Sequence, residues 1–184
     1  QMPLMLMIHG GAFVAGDKTD AEVVAAAHEY VQRGWLVASI NYRRISDNAV
    51  PSSRVQALYD YVGGASATDR DRTAVAAIED TLTALDFVQA RSDVNAKWTT
   101  VSGLSAGGNM ALGTGYALDD HAISRPPVNV VIEVSGYFDG KAVGNPFDGV
   151  PTSDTVLMSI AGTLDSRYMY QLEAADWADE AGLP

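Results

Sequence analysis

Hydrophobic residues in this chain fall into short unbroken runs, separated by longer stretches with helical spacing. Leu4-Met5-Leu6-Met7-Ile8 is apolar at every position, the pattern of a strand buried on both faces. Comparable strand-like runs cover Trp35 to Tyr42, Trp98 to Leu104, Val128 to Ser135 and Val156 to Ile160. Between the first two lies a predicted helix from about Ala21 to Arg33, with Val24, Ala27 and Val31 on its inner stripe and Gly34 as its stop. A longer helix is predicted from about Thr73 to Gln89, with Ile78, Leu82, Leu85 and Val88 facing inward. Small residues after Ser105 suit a helix to about Leu118, and another runs from about Arg167 to Ala181. Residues 43 to 71 read as irregular, with a short helix around Val55 to Val62. Strands alternating with helices predict an α/β fold, a mostly parallel sheet of about five strands covered on both faces.

Composition narrows the function classes. The chain has 184 residues, enough for one domain with a proper core, and 47% of them are hydrophobic. Its formal net charge of -11 lacks the basic footprint that nucleic acid requires. No run approaches the roughly 18–20 apolar residues of a membrane span. With no cysteine there is no disulfide frame, no thiolate metal site and no cysteine nucleophile. This is the composition of a soluble protein, cytoplasmic or secreted.

Candidate chemistry centres on Gly103-Leu104-Ser105-Ala106-Gly107-Gly108. The G-x-S-x-G pattern has little specificity alone, but here it follows a strand-like run and opens a predicted helix. A sharp strand-to-helix turn holds the serine in a strained conformation and leaves no room for side chains at the flanking glycines. Ser105 then stands at a helix N-terminus, where free N–H groups favour negative charge. The competing reading is an ordinary glycine-rich turn with an idle serine.

A second segment, His9-Gly10-Gly11-Ala12-Phe13, directly follows the first strand. Gly10 and Gly11 let the backbone approach a substrate and present N–H donors to a developing oxyanion, with Ala106 N–H as the partner donor. His9 is expected to order this loop rather than act as general base. A third segment, Ala161-Gly162-Thr163-Leu164-Asp165, places a carboxylate after the fifth strand. Asp165 is the candidate acid that would orient an imidazole, and Asp139 is its rival. No histidine follows Asp165. His28 falls in the first helix. His121 lies near the end of the helix that starts at Ser105, about 18 Å along it. The expected base therefore lies roughly 10–25 residues past Pro184.

Together these segments resemble the α/β-hydrolase superfamily, in its carboxylesterase and lipase-like branch. Gly16-Asp17-Lys18, Asn41-Tyr42-Arg43, Glu79-Asp80 and Gly162-Thr163-Leu164-Asp165 extend the resemblance over nearly the whole chain. It implies a serine hydrolase that cleaves small-molecule carboxylic esters through an acyl-enzyme, with no metal or organic cofactor. It also implies a sheet of eight strands in the order 1-2-4-3-5-6-7-8. On that template the five strands correspond to the third through seventh. Residues 1–184 then form a single domain without its first edge strands and without the C-terminal strand that precedes the catalytic histidine. Such a piece is expected to be nearly inactive. Ala12 stands where a third glycine is common, and Ala161 where histidine is common. A non-catalytic ligand-binding protein and a serine peptidase of the same fold are the alternatives. Two features read as structural: an ion pair between Arg43 and Asp80, and Glu133 inside an apolar strand, which calls for an edge position or a partner.

Overall fold

Alternate residues of β1 (Met2–Ile8) serve opposite cores. Leu4, Leu6 and Ile8 join the main cluster with Ile78, Leu82, Leu85, Met110 and Val131. Met5 and Met7 pack on the other face with Val23 and half-buried Ala26, Ala27, Tyr30 and Trp35. This explains the unbroken apolar run: a strand covered on both sides has no position left for water. The computed structural model describes residues 1–136, 155–166 and 168–180.

All pairings in the sheet are parallel, in the order β2-β1-β3-β4-β5. The strands are β1, β2 (Leu36–Ile40), β3 (Val94–Leu104), β4 (Val130–Val134) and β5 (Val156–Ile160). This is the order expected for the third to seventh strands of the eight-stranded template. β3 begins four residues before the predicted run: Val94 pairs with Met2, then the register shifts so that Leu4 meets Thr99. Exposed Lys97 and Trp98 occupy that irregularity and conceal the early pairing.

The helices are α1 (Ala21–Gln32), α2 (Gln56–Tyr61), α3 (Asp69–Gln89), α4 (Ala106–Leu112) and α5 (Tyr168–Glu180). The inner stripe of α1 is corrected. Val24 and Val31 are 37% and 55% exposed, while Val23 is buried. Tyr30 is the anchor, edge-on to Trp35 at 5.7 Å. α3 starts at Asp69, four residues earlier than expected, because the Thr68 hydroxyl accepts from Asp71 N–H at 3.1 Å. After α4 the helical path widens into a π-turn over Gly113–Ala117. A Cβ at Gly115 would stand 2.5 Å from Val131, so this stretch of helix lies almost directly on β4.

Two buried polar features acquire partners. Arg43 Nε donates to both Asp80 oxygens at 2.8 and 3.0 Å, and its Nη2 donates to Glu79 at 2.7 Å and to the Ala76 carbonyl at 2.9 Å. Glu133 lies on β4, between β3 and β5, so the edge explanation fails and the partner explanation holds. Its Oε1 accepts from Gly136 N–H and from Gln171 Nε2 at 2.7 Å, and Oε2 pairs with the Ser159 hydroxyl at 2.6 Å.

Candidate active site

In a parallel sheet every strand ends at the same edge, and the loops after those ends are where α/β folds place ligands. Gly10 follows β1, Ser105 follows β3 and Asp165 follows β5, so all three stand at that edge. α4 runs back from it, which takes the Asp119–His121 turn toward the opposite edge. There the His121 ring sits 4.8 Å from Tyr61. His28 is an exposed residue of α1.

Ser105 has φ +54° and ψ -115°, a conformation L-residues rarely adopt. Such a residue costs on the order of 1–3 kcal/mol and persists only where its surroundings impose it. The surroundings are crowded. A Cβ on Gly103 would overlap the Gly107 carbonyl, and a Cβ on Gly107 would overlap the Ile8 carbonyl. Ser105 N–H donates to the Val134 carbonyl at 2.8 Å, and its own carbonyl accepts from Asn109 N–H at 3.1 Å. Ala106 is the first residue of α4, so its N–H is among those no carbonyl within the helix can reach.

The loop after β1 closes against this elbow. A Cβ on Gly10 would stand 3.4 Å from Ser105 Cβ and 3.1 Å from the Leu104 carbonyl oxygen. Gly11, Ala12 and Phe13 follow with φ of +116°, +54° and +65°. This left-handed run is pinned by Val14 and Ala15 N–H groups on the Gly11 carbonyl and by Ile45 N–H on the Phe13 carbonyl. His9 is 1% exposed. Its Nδ1 lies 2.6 Å from the Gly10 carbonyl oxygen, and since a carbonyl only accepts, Nδ1 carries the proton. Its ring stacks on Tyr42 at 4.4 Å.

Tyr42 is the residue that sequence reasoning missed. Its hydroxyl reaches the carbonyl oxygens of His9 at 3.3 Å and Gly10 at 3.1 Å. Both peptides are trans, so turning their carbonyls toward Tyr42 turns the N–H groups of Gly10 and Gly11 the other way. Burial pushes the Tyr42 phenol up to about 12, so it remains a donor at neutral pH. The signal available was its place in Asn41-Tyr42-Arg43 at the end of a strand beside β1.

The stretch after the loop is also fixed. Asp17 accepts from the Thr19 hydroxyl at 2.5 Å and from Asn41 Nδ2 at 3.0 Å, and these bonds hold its carboxyl at about 2. Asp165 sits in a turn after β5, its N–H donating to the Gly162 carbonyl at 2.8 Å and its carbonyl accepting from Tyr168 N–H at 3.0 Å. Asp139 lies outside the described residues. Among the described residues no group of three or more His, Cys, Asp or Glu could hold a metal ion, and no helix is long and apolar enough to cross a membrane.

Comparison with known proteins agrees with the fold. The family model BD-FAE matches residues 1–62, which hold β1, the His9-Gly10-Gly11 loop and Tyr42. No curated protein matches the sequence. Esterase 2 of Thermogutta terrifontis, in a form phosphoramylated by tabun, superposes with a TM-score of 0.71 at 18% identity, covering 100% of this chain and 69% of that one. An inhibited esterase B from Lactobacillus rhamnosis gives 0.68 at 16% identity, over 99% of this chain and 63% of that one. A lipase/esterase from Lactobacillus plantarum gives 0.71 at 12% identity, over 99% and 74%. With the parallel sheet order and the strained serine elbow, these likenesses establish that the chain has the α/β-hydrolase fold.

Proposed function

We propose that this protein is a serine hydrolase acting on small carboxylic esters, with Ser105 as its nucleophile. The observation that carries the reading is the strained Ser105 elbow packed against Gly10. In the reaction Ser105 Oγ attacks the ester carbonyl carbon while its proton passes to an imidazole. The resulting oxyanion is held by the N–H groups of Gly10, Gly11 and Ala106, each such donor being worth about 3 kcal/mol. The tetrahedral intermediate collapses, the imidazolium protonates the departing alcohol, and an acyl-serine remains. Water, deprotonated by the same imidazole, then releases the acid and regenerates Ser105.

Asp165 is the group that orients the imidazole and stabilises its charged form. That imidazole is not assigned to His28, an exposed residue of α1, nor to His121, whose ring lies beside Tyr61 near the opposite edge of the sheet. His9 is assigned to ordering the loop rather than to the base, because it is 1% exposed and its ring is stacked on Tyr42. The test is hydrolysis of a short-chain activated ester such as p-nitrophenyl butyrate by the full-length protein and its Ser105→Ala variant. Turnover is expected to vanish in the variant, and equal turnover would overturn the assignment.

A further inference from the structure

Glu133 is the least expected residue near the site. It is a carboxyl, 2% exposed, on a central strand of an apolar sheet. It pairs in register with Gly103 of the elbow strand, and a Cβ on Gly108 of α4 would stand 3.2 Å from its Cγ. It therefore lies directly beneath the nucleophile helix. Its hydrogen bonds reach three other segments: Gly136 in the loop after β4, Ser159 near the end of β5, and Gln171 in the first turns of α5. Ser159 precedes Asp165 by six residues and Gln171 follows it by six. One carboxyl thus grips both flanks of the loop that carries Asp165.

We propose that Glu133 is a positioning residue for the hydrolytic site, holding the Asp165 loop in register with the Ser105 elbow by tethering Ser159 and Gln171 to the floor of α4. The inference rests on the roles given above to Ser105 and Asp165. A hydrophobic residue at this position would fill the space but leave the Gly136 N–H buried without its acceptor, and the Gln171 amide with the Gly136 carbonyl alone. Burial, aided by the nearby Asp165 charge, pushes the Glu133 carboxyl up from its ordinary value. The bonds from Ser159, Gly136 and Gln171 work against that push, and in all three the carboxyl is the acceptor.

The test is steady-state ester hydrolysis by the full-length protein carrying Glu133→Ala, Glu133→Gln, Asp165→Asn, and Glu133→Ala combined with Asp165→Asn. Displacing a catalytic group by about 1 Å costs roughly 100-fold, so Glu133→Ala is expected to lower kcat by that order with KM nearly unchanged. Glu133→Gln, which fills the same space and keeps one oxygen acceptor for Gly136 and Gln171, restores much of it. In the Asp165→Asn background Glu133→Ala should add no further loss, because its effect passes through Asp165. Unchanged kcat in Glu133→Ala, or losses that multiply in the double variant, would overturn the proposal while Ser105→Ala still abolished turnover. Turnover surviving in Ser105→Ala would overturn the functional reading and this proposal with it. Should Glu133→Ala fail to fold, Gln171→Leu and Ser159→Ala each cut one tether. Both are then expected to lower kcat, and parent-like rates in both would count against the proposal.

Discussion

The Tyr42 hydroxyl stands 3.1 Å from the Gly10 carbonyl oxygen, across 32 residues of sequence. That contact fixes the orientation of the peptide whose N–H belongs to Gly11. Removing the hydroxyl in Tyr42→Phe keeps the ring stacked on His9 and frees the peptide to rotate. The expected result is a fall in kcat of about tenfold with KM little changed, since misaligned donors weaken oxyanion stabilisation most. Thermal unfolding should show a loss of about 1 kcal/mol, the usual worth of one buried hydrogen bond.

Strain at Ser105 predicts a separation of stability from activity. Its φ of +54° is open to glycine without steric penalty. Ser105→Gly relieves about 1–3 kcal/mol of strain and costs roughly 0.5–1 kcal/mol in unfolded-chain entropy. Turnover should disappear while the unfolding midpoint rises, by the equivalent of about 1 kcal/mol in a urea titration. Gly107→Ala is the opposite case. Its new methyl would overlap the Ile8 carbonyl, so it should unfold the protein or sharply lower its midpoint.

How much of this was legible in the sequence depends on the range of the interaction. β1 was readable because burial on both faces demands an unbroken apolar run. The elbow was readable because crowding at Gly103 and Gly107 leaves glycine as the residue that fits. The inner face of α1 was not, since Ala21, Val23, Val24, Ala25, Ala26, Ala27, Tyr30 and Val31 place apolar groups nearly all round the helix. Only packing of Tyr30 on Trp35 selects a side. The early start of α3 was written in Thr68-x-x-Asp71 but lay in a polar stretch with no hydrophobic period. Tyr42 and Glu133 depend on contacts 26 to 38 residues away, which no local pattern encodes.

The Arg43 cluster predicts a strong and pH-dependent loss. Arg43 is flanked by Asp80 and by Glu79, whose side chain is 9% exposed. Burial works against Glu79 ionising, but the Ser52 hydroxyl and Arg43 outweigh it and hold its carboxyl below its ordinary value. Arg43→Ala removes the cation from both acids, leaving Glu79 the Ser52 bonds and Asp80 the residue 43 backbone N–H, and should destabilise the protein by about 1–3 kcal/mol in urea unfolding near neutrality. Arg43→Lys should recover only part, because an ammonium cannot reproduce the guanidinium's contacts with Asp80, Glu79 and the Ala76 carbonyl together. A depressed acid contributes stability above its unfolded value, here 4.5, and loses it as pH falls through the folded value. The gap between the parent and Arg43→Ala should therefore be full above about pH 5 and narrow in acid.

Glu133 predicts the reverse sign. Its folded carboxyl is raised above the ordinary 4.5, chiefly by burial. Below 4.5 both folded and unfolded chains hold the proton, and the group carries no penalty. As pH rises past that value the unfolded chain ionises while the folded one resists, so stability drains away until the folded value is passed. Glu133→Gln has no proton to lose and fills the same space. Its unfolding midpoint should match the parent's below 4.5 and exceed it increasingly as pH rises past that value, the difference saturating once the parent's carboxyl ionises in the fold. Differential scanning calorimetry of the two proteins across that range is the measurement. A midpoint difference that stayed constant would mean that folding leaves the Glu133 titration unchanged, and one that shrank as pH rose would mean that its folded value lies below the unfolded one.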